Sequence, residues 1–116
     1  MIRETEVKEI LEKNVPEMKL EASELKSLYK TIDSFAAFTK EVMKQGNLPI
    51  IGNCFATAEL LIDEGTENIK LAIENIYVFS VTAFMDVTGA VSKQVKELLP
   101  DHMRAEYDKQ VSSACS

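Results

Sequence analysis

Tryptophan is absent from this chain, histidine occurs once, cysteine twice, and only four glycines and three prolines interrupt its 116 residues. Each scarcity excludes something. A single histidine, His102, rules out sites built on several imidazoles. Two cysteines, Cys54 and Cys115, are too few for a disulfide framework, and their spacing matches no zinc motif, so reduced thiols are expected. The glycines stand singly, which leaves no phosphate-cradling loop. The uncharged run from Asn75 to Met85 is too short to span a bilayer. The opening "MIRETEVKEI" lacks the apolar run of a signal peptide. These points lead us to expect a cytoplasmic protein with no membrane association.

Basic residues are also scarce. Thirteen Lys and Arg face nineteen Asp and Glu, for a net charge of −6. Nucleic acid and anionic membranes would repel such a chain, whereas a basic protein partner would not. Apolar and charged fractions of 46% and 28% are those of a globular protein, and the length suits one domain over residues 1–116.

What is present is helical periodicity. Val7, Ile10 and Leu11 mark a short first helix, about residues 3–14, stopped near Val15-Pro16. Leu25, Leu28, Tyr29, Ile32, Phe35, Ala36, Thr39, Val42 and Met43 step by three and four along a long amphipathic helix that Gly46 ends. Asn47 caps the next, Pro49 sits in its first turn, and Ile51, Cys54, Phe55, Ala58, Leu61 and Ile62 form its stripe. Gly65 closes that helix and Thr66 caps a third, over about 67–87, with Ile69, Ala72, Ile73, Ile76, Ala83 and Phe84 on one face. Past Ile76 the other side turns apolar too, through Val78, Val81 and Met85, as in a helix entering the middle of a bundle. A buried strand is the rival reading of "IYVFSVTAFM", but the unbroken helical period before it favours helix. After the breaker Gly89, Val91, Val95, Leu98 and Leu99 form a short stripe that Pro100 interrupts. A last helix carries Met103, Tyr107 and Val111, and the tail, about 112–116, is expected to fray. The fold class expected is all-α: one helical bundle containing an antiparallel hairpin like a helix pair of a HEAT or tetratricopeptide array.

Candidate sites are few. Gly52-Asn53-Cys54 resembles part of the signature of ovarian-tumour-type cysteine proteases, and Cys54 stands early in its helix. Thiolate catalysis would need His102 as base, a larger mixed scaffold, and an acid where Ile51 stands, so packing is the reading for Cys54. His102 could form an ion pair or half of a metal site with Glu106 one turn later, but a lone histidine with no second pair reads as a helix-capping or surface residue. Glu59, Asp63, Glu64 and Glu67 crowd the hairpin turn without the calcium-loop pattern, and read as a solvated acidic turn. Glu74, Asn75 and Ser80 fall on the stretch expected to be buried, where polar groups must be hydrogen-bonded or could line a small pocket. No catalytic, cofactor or metal residue is assigned.

"NCFATAELLIDEGTENIKLAIENIYVFS" followed by "LLPDHMRAEYDKQV" resembles an uncharacterised family of short bacterial proteins classed only as a domain of unknown function. The positions are Cys54-Phe55, Ala58-Glu59, Gly65, Ile69-Lys70, Ala72-Ile73-Glu74-Asn75, Phe79-Ser80, Leu99-Pro100 and Tyr107-Asp108-Lys109-Gln110. The resemblance implies an all-helical cytoplasmic protein and carries no activity with it. We therefore expect a non-catalytic protein-interaction module, of which an immunity or inhibitor protein is one kind, with Glu64 and Glu67 at its contact surface. The alternative is a small-molecule binder or minor enzyme using Glu74, Asn75 and Ser80.

Overall fold

A computed structural model describes residues 1–18, 27–88 and 93–115. Helix starts are written in local side chains. α1 (Glu4–Asn14) opens where the Arg3 backbone N–H donates to Glu6 Oε1 at 3.1 Å, and stops at Val15, ahead of Pro16. α2 (Leu28–Gln45) begins at Ser27, whose hydroxyl accepts from the Lys30 N–H, and ends at Gly46. Gly46 has φ 71°, a left-handed conformation that costs glycine little. α3 (Leu48–Glu64) starts from Asn47, whose carbonyl Oδ1 accepts from the Ile50 N–H, with Pro49 in the first turn.

The turn into the next helix is sterically specified. Gly65 is extended, and a Cβ there would lie 2.4 Å from the Leu61 carbonyl oxygen and 2.7 Å from Ile69 Cγ2. Only glycine admits so close an approach. Thr66 then caps α4 (67–88) by accepting from the Ile69 N–H. The N-terminus seals this turn: the Ile2 N–H donates to Glu64 O at 2.6 Å, and the Thr66 N–H donates to Ile2 O at 3.1 Å. That isolated bridge is the one piece of β-pairing among the described residues.

α5 (Lys93–Glu97) and α6 (Asp101–Cys115) close the bundle, with Arg104 donating to the Lys96 carbonyl at the end of α5. Val95, Leu99 and Met103 are buried, whereas Leu98, expected on the same stripe, is exposed. α6 continues past the expected fray to Cys115.

α2 and α4 run side by side in the same direction. Phe35 stacks on Tyr77 with centroids 4.3 Å apart, and Lys40 Nζ donates to Ser80 Oγ at 2.8 Å. α3 runs antiparallel between their connections, so the hairpin of α3 and α4 is present as expected. Ile32, Phe35, Ala36, Thr39 and Val42 of α2 and Ile51, Cys54, Phe55, Ala58, Leu61 and Ile62 of α3 are buried, as their stripes require. Tyr29 is the exception, 65% exposed although its position falls on the stripe. Leu25, Gly89 and Val91 lie outside the described residues, as does the Val111 side chain. The radius of gyration, 13.5 Å, is that of a single compact domain.

The largest departure from expectation is in α4. Residues Ile73–Val78 form a π-helical segment between α-helical flanks Glu67–Ala72 and Phe79–Thr88. The wider turn advances the chain by an extra residue before the next face comes round. The buried set therefore runs Ile69, Ala72, Ile73, then Tyr77, Val78, Val81, Thr82 and Met85. Ile76, Ala83 and Phe84, expected in the core, are only half-buried, and Phe79 is 62% exposed. So α4 is not buried all round from Ile76 onward, because Phe79 remains exposed.

Candidate functional site

Four threonine hydroxyls are buried among the described residues, and each is satisfied locally. Thr31, Thr39, Thr57 and Thr82 all donate to the carbonyl one turn back, at 2.6–3.0 Å. Thr39 also contacts the Tyr77 hydroxyl at 3.0 Å. Because the Thr39 proton is committed to Phe35 O, Tyr77 is the donor in that pair. Cys54 lies beside the same threonine, fully buried and well inside α3. Burial pushes its thiol up to about 11, against which the Thr39 hydrogen bond pulls weakly and the Glu17 charge adds. A thiol held protonated there is packing, not a nucleophile.

A second cluster lies at the surface between α3 and α6. Glu59 and Asp63 are one turn apart, so both carboxylates leave the same side of α3. Near the start of α6, His102 Nδ1 bonds Glu59 Oε1 and lies 3.9 Å from Asp63 Oδ1. One donor atom from each residue falls within 4.8 Å of the other two. His102 and Asp63 are about half exposed, at 48% and 53%, while Glu59 is at 21%. The second Glu59 oxygen, Oε2, is shut off from solvent and has no hydrogen-bond partner. The hydrogen bond that His102 donates to Glu59 raises the His102 pKa above its ordinary value, burial opposes the rise, and the charges of Glu59, Asp63 and Glu74 add to it. The pairing of His102 with Glu106 expected from sequence is replaced: Glu106 pairs with Lys109 at 3.5 Å, and His102 reaches across to α3.

The five residues singled out by sequence fall in different places. Glu64 and Glu67 are exposed on either side of the sealed hairpin turn. Glu74 is half-buried and adds to the negative field at His102. Asn75 is exposed, and Ser80 is occupied by the Lys40 ammonium. Glu74, Asn75 and Ser80 thus differ in exposure, the first and last half-buried and Asn75 facing solvent. A cleft of about 210 Å³ lies elsewhere, between Asn14 of α1 and Asn53, Ala56, Thr57 and Leu60 of α3. Sequence reasoning noticed His102, Glu59 and Asp63 without joining them. The four-residue spacing of the two carboxylates was the available signal; the placement of His102 beside α3 had none.

No helix of the described residues is long and apolar enough to cross a membrane. No curated protein and no solved structure matches the chain. A family model covers residues 8–113, nearly the whole length, and the chain therefore belongs to the family described as a domain of unknown function, DUF7674.

Proposed function

We propose that this protein works without catalysis, as a protein-interaction module whose contact surface is the solvent side of α4. The observation that carries the reading is an exposed row at four-residue spacing: Glu67, Leu71, Asn75 and Phe79. Leu71 is 44% and Phe79 62% exposed, on the helix that supplies much of the core. A lone exposed apolar side chain is ordinary. A leucine and a phenylalanine in register, with Glu64 and Glu67 at one end, have the apolar centre and charged rim of an interface. The net charge of −6 suits a basic partner, and an inhibitor of a basic protein is one form this function takes. The buried Cys54 thiol supports the non-catalytic reading. We place the protein in the cytoplasm, where its free thiols stay reduced.

Affinity capture from host lysate, comparing the native chain with Leu71→Glu/Phe79→Glu and with Glu64→Lys/Glu67→Lys, tests the proposal. We expect one stoichiometric protein with the native chain, absent with the first variant and reduced with the second. Capture that survives both variants would refute the assignment of the face.

A further inference from the structure

We propose that Glu59, Asp63 and His102 form a binding site for a divalent transition-metal ion of the zinc class, clasping α6 to α3. The donor set is one imidazole nitrogen and two carboxylates, drawn from two helices and already gathered within 4.8 Å. Zinc bonds to such donors are about 2.0–2.2 Å long, so tetrahedral donors lie roughly 3.3–3.6 Å apart. The 3.9 Å separation of His102 Nδ1 and Asp63 Oδ1 needs to close only slightly. The Glu59 to His102 contact must open to admit the ion, and both His102 and Asp63 have the exposure to move.

A solvated acidic turn explains less. Surface carboxylates of that kind point both oxygens at water, whereas Glu59 Oε2 is buried with no partner. Among the described residues no group donates a hydrogen bond to that atom, and a bound cation would compensate its charge. The imidazole decides the class of ion. Calcium and magnesium seek six or more oxygens, whereas nitrogen donors favour zinc and its neighbours. Water completes the coordination, since the site opens to solvent. On binding, the Nδ1 proton of His102 leaves to solvent and the nitrogen lone pair turns to the metal. The proposal is independent of the interaction face on α4, and its test shares no variant with that one.

The test is calorimetric titration of the metal-free chain, in a Cys115→Ser background, with zinc chloride, then with magnesium and calcium chloride. The expected result is one zinc per chain, with magnesium and calcium at least about tenfold weaker. His102→Gln and Asp63→Asn are each expected to weaken zinc at least about tenfold, with unchanged circular dichroism. Cobalt should give visible ligand-field bands that both variants lose. Should His102→Gln disturb the fold, the exposed Asp63→Asn still decides the matter. Zinc binding unaltered by the substitutions, equal binding of calcium, or no binding at all would each overturn the site.

Discussion

Tyr77, Thr39 and Cys54 show how one buried hydroxyl can organise its surroundings. Thr39 donates to Phe35 O and accepts from Tyr77, so each change removes a different half of the arrangement. Tyr77→Phe keeps the stacking on Phe35 and forfeits one hydrogen bond, an expected loss of about 1 kcal/mol in chemical denaturation. Thr39→Val leaves the Tyr77 hydroxyl buried without a partner, and the expected loss is larger, about 1–3 kcal/mol. Reversal of that order would contradict the assignment of Tyr77 as donor. Cys54 supplies a pH dependence. Its folded pKa, about 11, lies above the ordinary value of 9.0, so the native state holds its proton where the unfolded chain has released it. The contribution to stability is complete below pH 9 and declines as pH rises towards 11. Cys54→Ala should flatten that decline in denaturation curves taken across the window. Iodoacetamide should label Cys54 of the folded Cys115→Ser chain only slowly at neutral pH; rapid labelling would contradict burial.

Among the elements, α4 repays study because its two halves are out of phase with a plain α-helix. The π-helical segment, Ile73–Val78, lets Ile69 and Ala72 before it and Val81 and Met85 after it face the same core. Deleting the exposed Asn75 should convert the segment to α-helix while keeping both halves in register, with cooperative melting retained. Deleting Asp33 from the regular α2 should rotate the stripe that follows and abolish the cooperative transition. A fold that tolerates neither deletion would argue against this account of the π segment. Gly65→Ala should cost about 1–3 kcal/mol, since the Leu61 carbonyl blocks the new methyl group. These elements also show what the sequence could disclose. Gly46, Asn47, Pro49 and Thr66 act through bonds to near neighbours, so the ends of α2 and α3 and the start of α4 were legible. "IENIYV" carries no proline or glycine to mark a π turn, which exists because both halves must pack at once. Predicted core positions Ile76, Ala83 and Phe84 failed for that reason alone. His102 and Glu59 lie 43 residues apart, and their meeting depends on how α6 packs on the second half of α4.

At the scale of the whole molecule, two surfaces are separated by their chemistry. The end formed by the α3–α4 turn and the start of α6 gathers carboxylates around one imidazole, whereas α4 exposes Leu71 and Phe79 in a row. The net charge of −6 opposes the pairing of two copies through the apolar strip. Substitutions on that strip should spare the fold, because Leu71 and Phe79 are not among the side chains that close the core. The most direct measurement is therefore the affinity of the captured partner for the native chain and for Phe79→Glu, with melting temperature taken on the same samples. The account predicts binding weakened by about thirtyfold or more, as for a central interface residue, with melting essentially unchanged. Equal affinity for both chains would contradict it.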